Sequence, residues 1–122
     1  MSKPLKTSTT EDLVELFAAK AVERERFMKA HDPRKANARF DQMVKIYDVL
    51  KNRGLDAQRQ LLPLLQHKDH HVRYSAAARV LEFNADQAIP ILEELSLTGA
   101  PLLRFEAKVT LEQWRKGKFR PS

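Results

Sequence analysis

Residues 61–81 read LLPLLQHKDHHVRYSAAARVL, and this stretch decides which fold the chain adopts. An apolar segment carrying Pro63 comes first, a polar link follows at residues 67–69, and a second helical pattern runs from Val72 through three alanines. Each of these two short helices is apolar on one face only. Such helices bury their apolar faces by stacking on neighbours, so the stretch predicts an all-α fold built from packed helix pairs.

The same pattern returns later in the chain. Residues 87–92 (QAIPIL) restate residues 60–65 (QLLPLL) at an offset of 27. Residues 103–107 (LRFEA) restate residues 72–76 (VRYSA) at an offset of 31. A helical repeat architecture requires an internal echo of this kind, whereas an arbitrary helix bundle does not.

The proline in the first helix, the turn residue Asp69, the Val72-Arg73 pair and the alanines that follow resemble a HEAT repeat. The resemblance covers residues 60–114. It implies a short α-α superhelix of about six helices in three antiparallel pairs, with the second helix of each pair on a concave, partner-binding side. The length and the last two pairs are also similar to a small bacterial family, the domain of unknown function two thousand nineteen, which implies no catalytic residues.

Cap and breaker residues place the remaining helices. Thr10 is the expected N-cap of the first helix, and Asp32 with Pro33 is the start signal of the second, which ends at Gly54. The expected buried stripe of the second helix consists of Ala36, Phe40, Met43, Tyr47 and Leu50. We therefore expect a flexible N-terminal arm over residues 1–9, a single HEAT-like domain over residues 10–117 and a basic tail over residues 118–122.

Charge and composition exclude several classes of function. The net charge is +6, but residues 7–114 contain sixteen basic and sixteen acidic side chains, so the surplus lies at the two ends of the chain. A nucleic-acid-binding face needs its basic surplus on the folded body. No apolar run approaches the ~20 residues of a membrane span. The chain has no cysteine, which excludes disulfides and thiolate sites, and we expect a cytoplasmic protein without a membrane segment.

The segment HKDHH, residues 67–71, is the one cluster of candidate metal ligands. Imidazole and carboxylate groups suit zinc, but His70 and His71 diverge by about 100° on a helix and Asp69 serves better as an N-cap. We therefore expect no metal and no cofactor. The chain also has no Gly-rich phosphate loop, with three glycines in all, and we expect no enzymatic activity.

Arginine and aromatic side chains outside the apolar stripes are the candidate partner contacts, because such residues anchor protein interfaces. The candidates are Arg39, His71, Tyr74, Arg79, Arg104 and Lys108. Two further roles stay open for Arg73 and its echo Arg104. The HEAT resemblance implies that each pairs with a turn aspartate of a neighbouring repeat, Asp69 or Asp86, but either arginine can instead face a ligand.

Three hypotheses about function follow. The first is a non-catalytic module that binds another protein through the concave face of the second helices, for example as a bacterial regulatory or toxin-neutralising partner. The second is weak binding of nucleic acid through the basic ends, and the third is a metal-dependent enzyme centred on the HKDHH segment.

Overall fold

The computed structural model describes residues 4–117, and within that range the chain forms helices and no strand. The α-helices are α1 (Thr10–Lys29), α2 (Pro33–Arg53), α3 (Leu55–Gln58), α4 (His70–Val80), α5 (Ala85–Thr98) and α6 (Pro101–Arg115). Two 3-10 helices, Leu5–Thr7 and Arg59–Gln66, complete the set. The helices pack in adjacent pairs, which confirms the predicted all-α class.

Two compact units meet in sequence between Leu61 and Leu62. In the first unit α1 packs along α2, and α2 also contacts α3. In the second unit α5 packs along α6, and α4 packs against both. The single domain over residues 10–117 and its HEAT-like stacking stay predictions.

The polar residues that begin the helices act largely as the sequence indicates. The Asp32 carboxylate accepts a hydrogen bond from the Lys35 amide at 3.1 Å, directly ahead of Pro33. Oδ1 of Asp69 accepts from the amides of His71 at 2.8 Å and Val72 at 3.1 Å, the two donors predicted for it.

The predicted N-cap of α1 is wrong by one residue. The hydroxyl of Thr9, not of Thr10, accepts from the Asp12 amide at 3.0 Å. Two adjacent threonines offer the same capping chemistry, so the sequence does not distinguish them.

Glycines stand where a side chain would be strained or crowded. Gly54 ends α2 with φ +111°, a conformation that other residues rarely adopt. Gly99 lies between α5 and α6, where an added Cβ would lie 2.9 Å from the carbonyl oxygen of Leu95. A side chain at residue 99 would therefore crowd the last turn of α5.

The helical segment that carries Pro63 is not one continuous α-helix. The chain forms the short α3 and then the 3-10 helix Arg59–Gln66, which contains Pro63. Proline has no amide hydrogen and so removes one backbone hydrogen bond from either kind of helix. Pro90 occupies the equivalent position inside α5, which is an α-helix, so the proline alone does not impose the 3-10 turns.

Burial nevertheless repeats between the two echoing segments. In residues 60–65 and in residues 87–92 the order is the same: exposed, buried, half-buried, exposed, half-buried, buried. Leu61 and Leu65 thus correspond to Ala88 and Leu92, and Pro63 and Pro90 are both exposed. The repeated sequence pattern therefore has a repeated pattern of burial, although one copy is a 3-10 helix and the other an α-helix.

The core of the first unit joins α1 to α2. Leu13, Phe17 and Ala21 are fully buried on α1, and α2 contributes Ala36, Met43, Ile46, Tyr47 and Leu50. The prediction that Phe40 belongs to this stripe is wrong, because its side chain is 40% exposed. Its ring instead lies under the Arg24 guanidinium, 5.6 Å from the ring centroid.

Arg53 contacts the segment before α1, for which we expected a flexible arm. Nη2 of Arg53 donates to the carbonyl oxygens of Leu5 at 3.3 Å, Lys6 at 3.1 Å and Ser8 at 2.6 Å. Its Nη1 donates to the Thr10 hydroxyl at 3.2 Å. One guanidinium at the end of α2 therefore contacts three residues of this segment. Residues 1–3 and the predicted tail over 118–122 lie outside the described residues, and the division into arm, domain and tail stays a prediction.

Candidate functional site

The six predicted partner contacts fall into three kinds of environment. Arg104 and Lys108 are exposed on α6, Tyr74 and Arg39 are half-buried, and His71 and Arg79 are buried. Four of the six therefore have contacts inside the protein, and only the two on α6 are open to solvent.

The expectation that His71 and Arg79 lie on an accessible face is wrong. His71 is 2% exposed and Arg79 is 8% exposed. Helix α4 is buried around most of its circumference, as eight of its eleven residues show: His71, Val72, Ser75, Ala76, Ala77, Ala78, Arg79 and Val80. The run of small residues lets neighbouring helices approach closely on several sides, so polar side chains of α4 are enclosed together with the apolar ones.

Tyr74 is engaged within the second unit. Its hydroxyl lies 2.9 Å from the Thr110 hydroxyl on α6, and the His71 ring lies 6.0 Å from the Tyr74 ring. These contacts place α6 over the side of α4 that carries Tyr74. The tyrosine therefore joins two helices of the fold.

Arg39 is engaged within the first unit. Its Nε donates to Oε1 of Glu23 at 2.6 Å, and its guanidinium lies 5.1 Å from the centroid of the Phe27 ring. An arginine with both an ion pair and a cation–π contact has limited freedom to reach a partner. Its structural role is to join α1 and α2.

The HEAT resemblance implies that Arg73 pairs with a turn aspartate, but its side chain makes other contacts. Nη1 of Arg73 donates to the His67 carbonyl at 3.0 Å, and its Nη2 lies 3.6 Å from Oε1 of Glu94 on α5. The acid is thus a helix residue and not the turn residue Asp69 or Asp86. The Arg104 side chain has no hydrogen bond or ion pair with any residue in the described range, so a structural role is seen for the Arg73 side chain alone.

The HKDHH segment uses its polar atoms locally. Nδ1 of His67 accepts from the Asp69 amide at 3.0 Å, and Asp69 itself caps α4. His71 is buried whereas His70 is exposed. Within residues 4–117 no three His, Asp or Glu side chains are grouped closely enough to hold a metal ion.

An apolar stripe on the outer side of α6 is the feature that the sequence reading missed. Leu102 is 54% exposed, Phe105 63% and Val109 38%. Steps of three and four residues place them on one face of the helix. The opposite face carries Leu103, Ala107, Thr110 and Leu111, which are buried against the second unit.

Basic side chains border this stripe on the side nearer α5. Arg104 and Lys108 are one helical turn apart and exposed, and neither has a carboxylate partner among residues 4–117. Arg115 continues the line but is paired with Glu93 on α5 at 3.0 Å. We call Leu102, Arg104, Phe105, Lys108 and Val109 the α6 face. A second apolar period in residues 102–109, offset from the buried one, was the signal available in the sequence.

Comparison with known proteins identifies the family but no activity. No curated protein matches this chain. A crystal structure of the protein RPA1889 from Rhodopseudomonas palustris CGA009 is similar, with 30% sequence identity and a TM-score of 0.90, covering 99% of this chain and 100% of that one. In residues 4–117 no helix combines the length and apolarity needed to cross a membrane. The profile of the Domain of unknown function (DUF2019) family matches residues 11–114, and the chain belongs to that family.

Proposed function

We propose that this protein is a non-catalytic interaction module and that its α6 face binds an acidic amphipathic helix of another protein. The observation that carries the proposal is the exposed stripe of Leu102, Phe105 and Val109 on a helix whose other face is packed. Isolated exposed apolar side chains are ordinary, whereas three on one helix face form a contiguous surface of the kind that interfaces use.

The repeat pattern strengthens this interpretation. Phe105 stands where the preceding repeat has Tyr74, and α6 covers Tyr74 through Thr110. Tyr74 is half-buried, whereas Phe105 is 63% exposed. The aromatic position that is packed on α4 is thus open on α6, and this exposure supports a partner there.

The chemistry of the partner follows from the border of the stripe. An amphipathic helix places apolar residues at steps of three and four, which match Leu102, Phe105 and Val109. Arg104 and Lys108 lack a carboxylate partner in the described range and favour acidic residues beside that stripe. A regulatory or toxin-neutralising role of this protein remains a prediction.

Binding of designed helical peptides tests the proposal. A peptide with leucines on one face and glutamates at the flanks should bind saturably in fluorescence anisotropy. Phe105→Asp should weaken this binding by about tenfold or more, since a central apolar anchor is replaced by a charge. Val22→Asp, which changes an exposed apolar residue on α1, is the matched control and should leave the affinity unchanged.

Charge exchange tests the partner's acidity. Lys108→Glu should weaken binding of the acidic peptide and strengthen binding of a version with lysine flanks. Equal binding of both peptides to the unaltered protein would contradict the proposed partner class. Self-association through α6, seen as a dimer that Phe105→Asp dissociates, would replace the partner with a second copy. Salt-sensitive binding of DNA that is lost on removal of residues 115–122 would favour the nucleic-acid hypothesis instead.

A further inference from the structure

The end of the first unit where α1 turns into α2 concentrates positive charge. Residues 20–39 contain seven basic and three acidic side chains, whereas the rest of residues 7–114 contains nine basic and thirteen acidic ones. The neutral total of the folded body therefore conceals a local basic surplus. A basic surplus gathered on one part of a folded body is the electrostatic mark of a surface that binds a polyanion.

The carboxylates of this segment leave most of the charge uncompensated. Glu23 is engaged by Arg39, with 2.6 Å between Oε1 and Nε. Lys29 and Lys35 each lie 3.9 Å from a carboxylate oxygen one helical turn earlier in the chain. Exposed ion pairs of that length contribute little free energy, so both lysines can exchange their partner for another anion.

Two arginines beside these lysines have no carboxylate partner among residues 4–117. Arg26 and Arg34 are exposed and make no ion pair in that range. Arg26 lies near the end of α1 and Arg34 in the first turn of α2, and α1 packs along α2. We call Arg26, Lys29, Arg34 and Lys35 the tip cations.

An aromatic ring holds part of this cluster in place. Three cations surround the centroid of the Phe27 ring: Arg26 at 5.4 Å, Lys35 at 5.6 Å and Arg39 at 5.1 Å. Cation–π contacts restrict long side chains, which lowers the conformational entropy that is lost when these side chains bind a ligand. Three like charges around one ring also repel one another, and a bound anion would relieve that repulsion.

The surroundings of the tip cations favour duplex nucleic acid over other polyanions. Protein interfaces and membrane-binding surfaces combine charge with exposed apolar side chains, but Phe27 and Met28, the large apolar residues of this segment, are half-buried. Single-stranded nucleic acid needs open rings on which bases stack, whereas the Phe27 ring is surrounded by cations. The phosphates of a duplex require only cations, and a guanidinium can bond two phosphate oxygens at once.

We infer that the tip cations bind the phosphate backbone of a nucleic-acid duplex without reading its sequence. Phosphate contacts position a protein on a duplex but carry no sequence information. The surface lies in the first unit, so the inference does not depend on the α6 face, which belongs to the second. It also differs from binding through the basic ends of the chain, because residues 26–35 belong to the folded body.

The experiment uses the full chain and a short labelled DNA duplex, followed by fluorescence anisotropy at several salt concentrations. Binding should be saturable and equal for two unrelated duplex sequences. Arg26→Gln combined with Arg34→Gln should weaken binding by about tenfold or more in ~0.1 M salt and reduce the slope of log K against log salt by about 2, since two phosphate contacts are lost. Lys45→Gln combined with Lys68→Gln is the matched control, which removes the same charge from exposed lysines outside the tip and should change the affinity by less than about threefold.

A single variant separates binding from folding. The Arg34 side chain makes no ion pair or ring contact within residues 4–117, so Arg34→Gln should keep the thermal midpoint of the unaltered protein and still weaken DNA binding by about threefold or more. An RNA duplex of the same length shows which nucleic acid is preferred, and tighter binding of either duplex supports the inference.

Three results would overturn the inference. They are the absence of saturable, salt-sensitive binding, an equal loss of affinity in the arginine pair and the lysine control pair, and equal or tighter binding of polyglutamate or of phosphatidylserine vesicles. The last result would replace the duplex with an acidic protein or with a membrane surface.

Discussion

Helices α4 and α6 are the second helices of two repeats with matching sequence, but their surroundings differ. On α4 the Val-Arg-aromatic pattern is enclosed, with Val72 buried, Arg73 bonded to His67 and Glu94, and Tyr74 joined to Thr110. On α6 Leu103 is buried in the same way, whereas Arg104 and Phe105 face solvent. The same motif thus serves packing on α4 and leaves an exposed surface on α6.

The largest expected effect tests whether the repeats are equivalent at their cores. Leu65→Ala and Leu92→Ala each remove a buried side chain at corresponding positions and should lower the free energy of unfolding by about 2–5 kcal/mol. Urea denaturation measures both. A cost below about 1 kcal/mol for one of them would show that the shared burial pattern does not reflect shared packing.

Replacing the aromatic residue of each motif by alanine should show the difference between α4 and α6 most clearly. Tyr74→Ala loses a half-buried ring and the hydrogen bond to Thr110, and should destabilise the protein by roughly 1–3 kcal/mol. Phe105→Ala should change stability by less than about 0.5 kcal/mol, because the ring lies in water. Thermal unfolding of the pair checks the contrast, and Tyr74→Phe isolates the hydroxyl contribution.

The N-caps that precede α4 and α5 should differ more modestly. Asp69 accepts from two amides at 2.8 and 3.1 Å, whereas Asn84 accepts from Gln87 alone at 3.3 Å. Asp69→Ala should therefore cost about 1–2 kcal/mol and Asn84→Ala about 0.5 kcal/mol. Asp69→Asn, which keeps an accepting oxygen, is the control and should recover most of the loss.

The smallest effect concerns the two arginines at equivalent positions of the repeated pattern, Arg73 and Arg104. Arg73→Ala should destabilise the protein by roughly 1 kcal/mol, since it leaves the His67 carbonyl without that donor. Arg104→Ala should lie within about 0.5 kcal/mol of the unaltered protein in stability. An equal loss for the two would mean that Arg104 has a structural contact that the exposed conformation does not explain.

Local chemistry made much of the fold predictable from the sequence. Asp32, Asp69, Gly54 and Pro101 mark helix ends by rules that act within a few residues, and the offset of 27 predicted the common burial of residues 60–65 and 87–92. The 3-10 backbone around Pro63 was harder to predict, because the sequence fixes the lost amide donor but not how the chain adjusts to it.

Solvent exposure was the property of the candidate site residues that the sequence predicted least well. His71 and Arg79 are polar, yet their burial depends on how many helices surround α4, which periodicity within one helix does not report. Phe105 has the residue type of a core position, yet its side chain is 63% exposed, and residue type alone does not report this. The Arg53 contacts with residues 5–8 join positions more than forty residues apart, which local patterns do not predict.

Those Arg53 contacts also set how the start of the chain meets proteases. Trypsin cuts after lysine and arginine only when the peptide is drawn out into an extended conformation, and Lys6 lies in a 3-10 turn whose carbonyl oxygen is bonded to the guanidinium. Digestion at Lys6 should therefore be slow in the native protein and faster in Arg53→Ala. The rate of cutting at this one bond then reports directly whether the Arg53 contacts are formed.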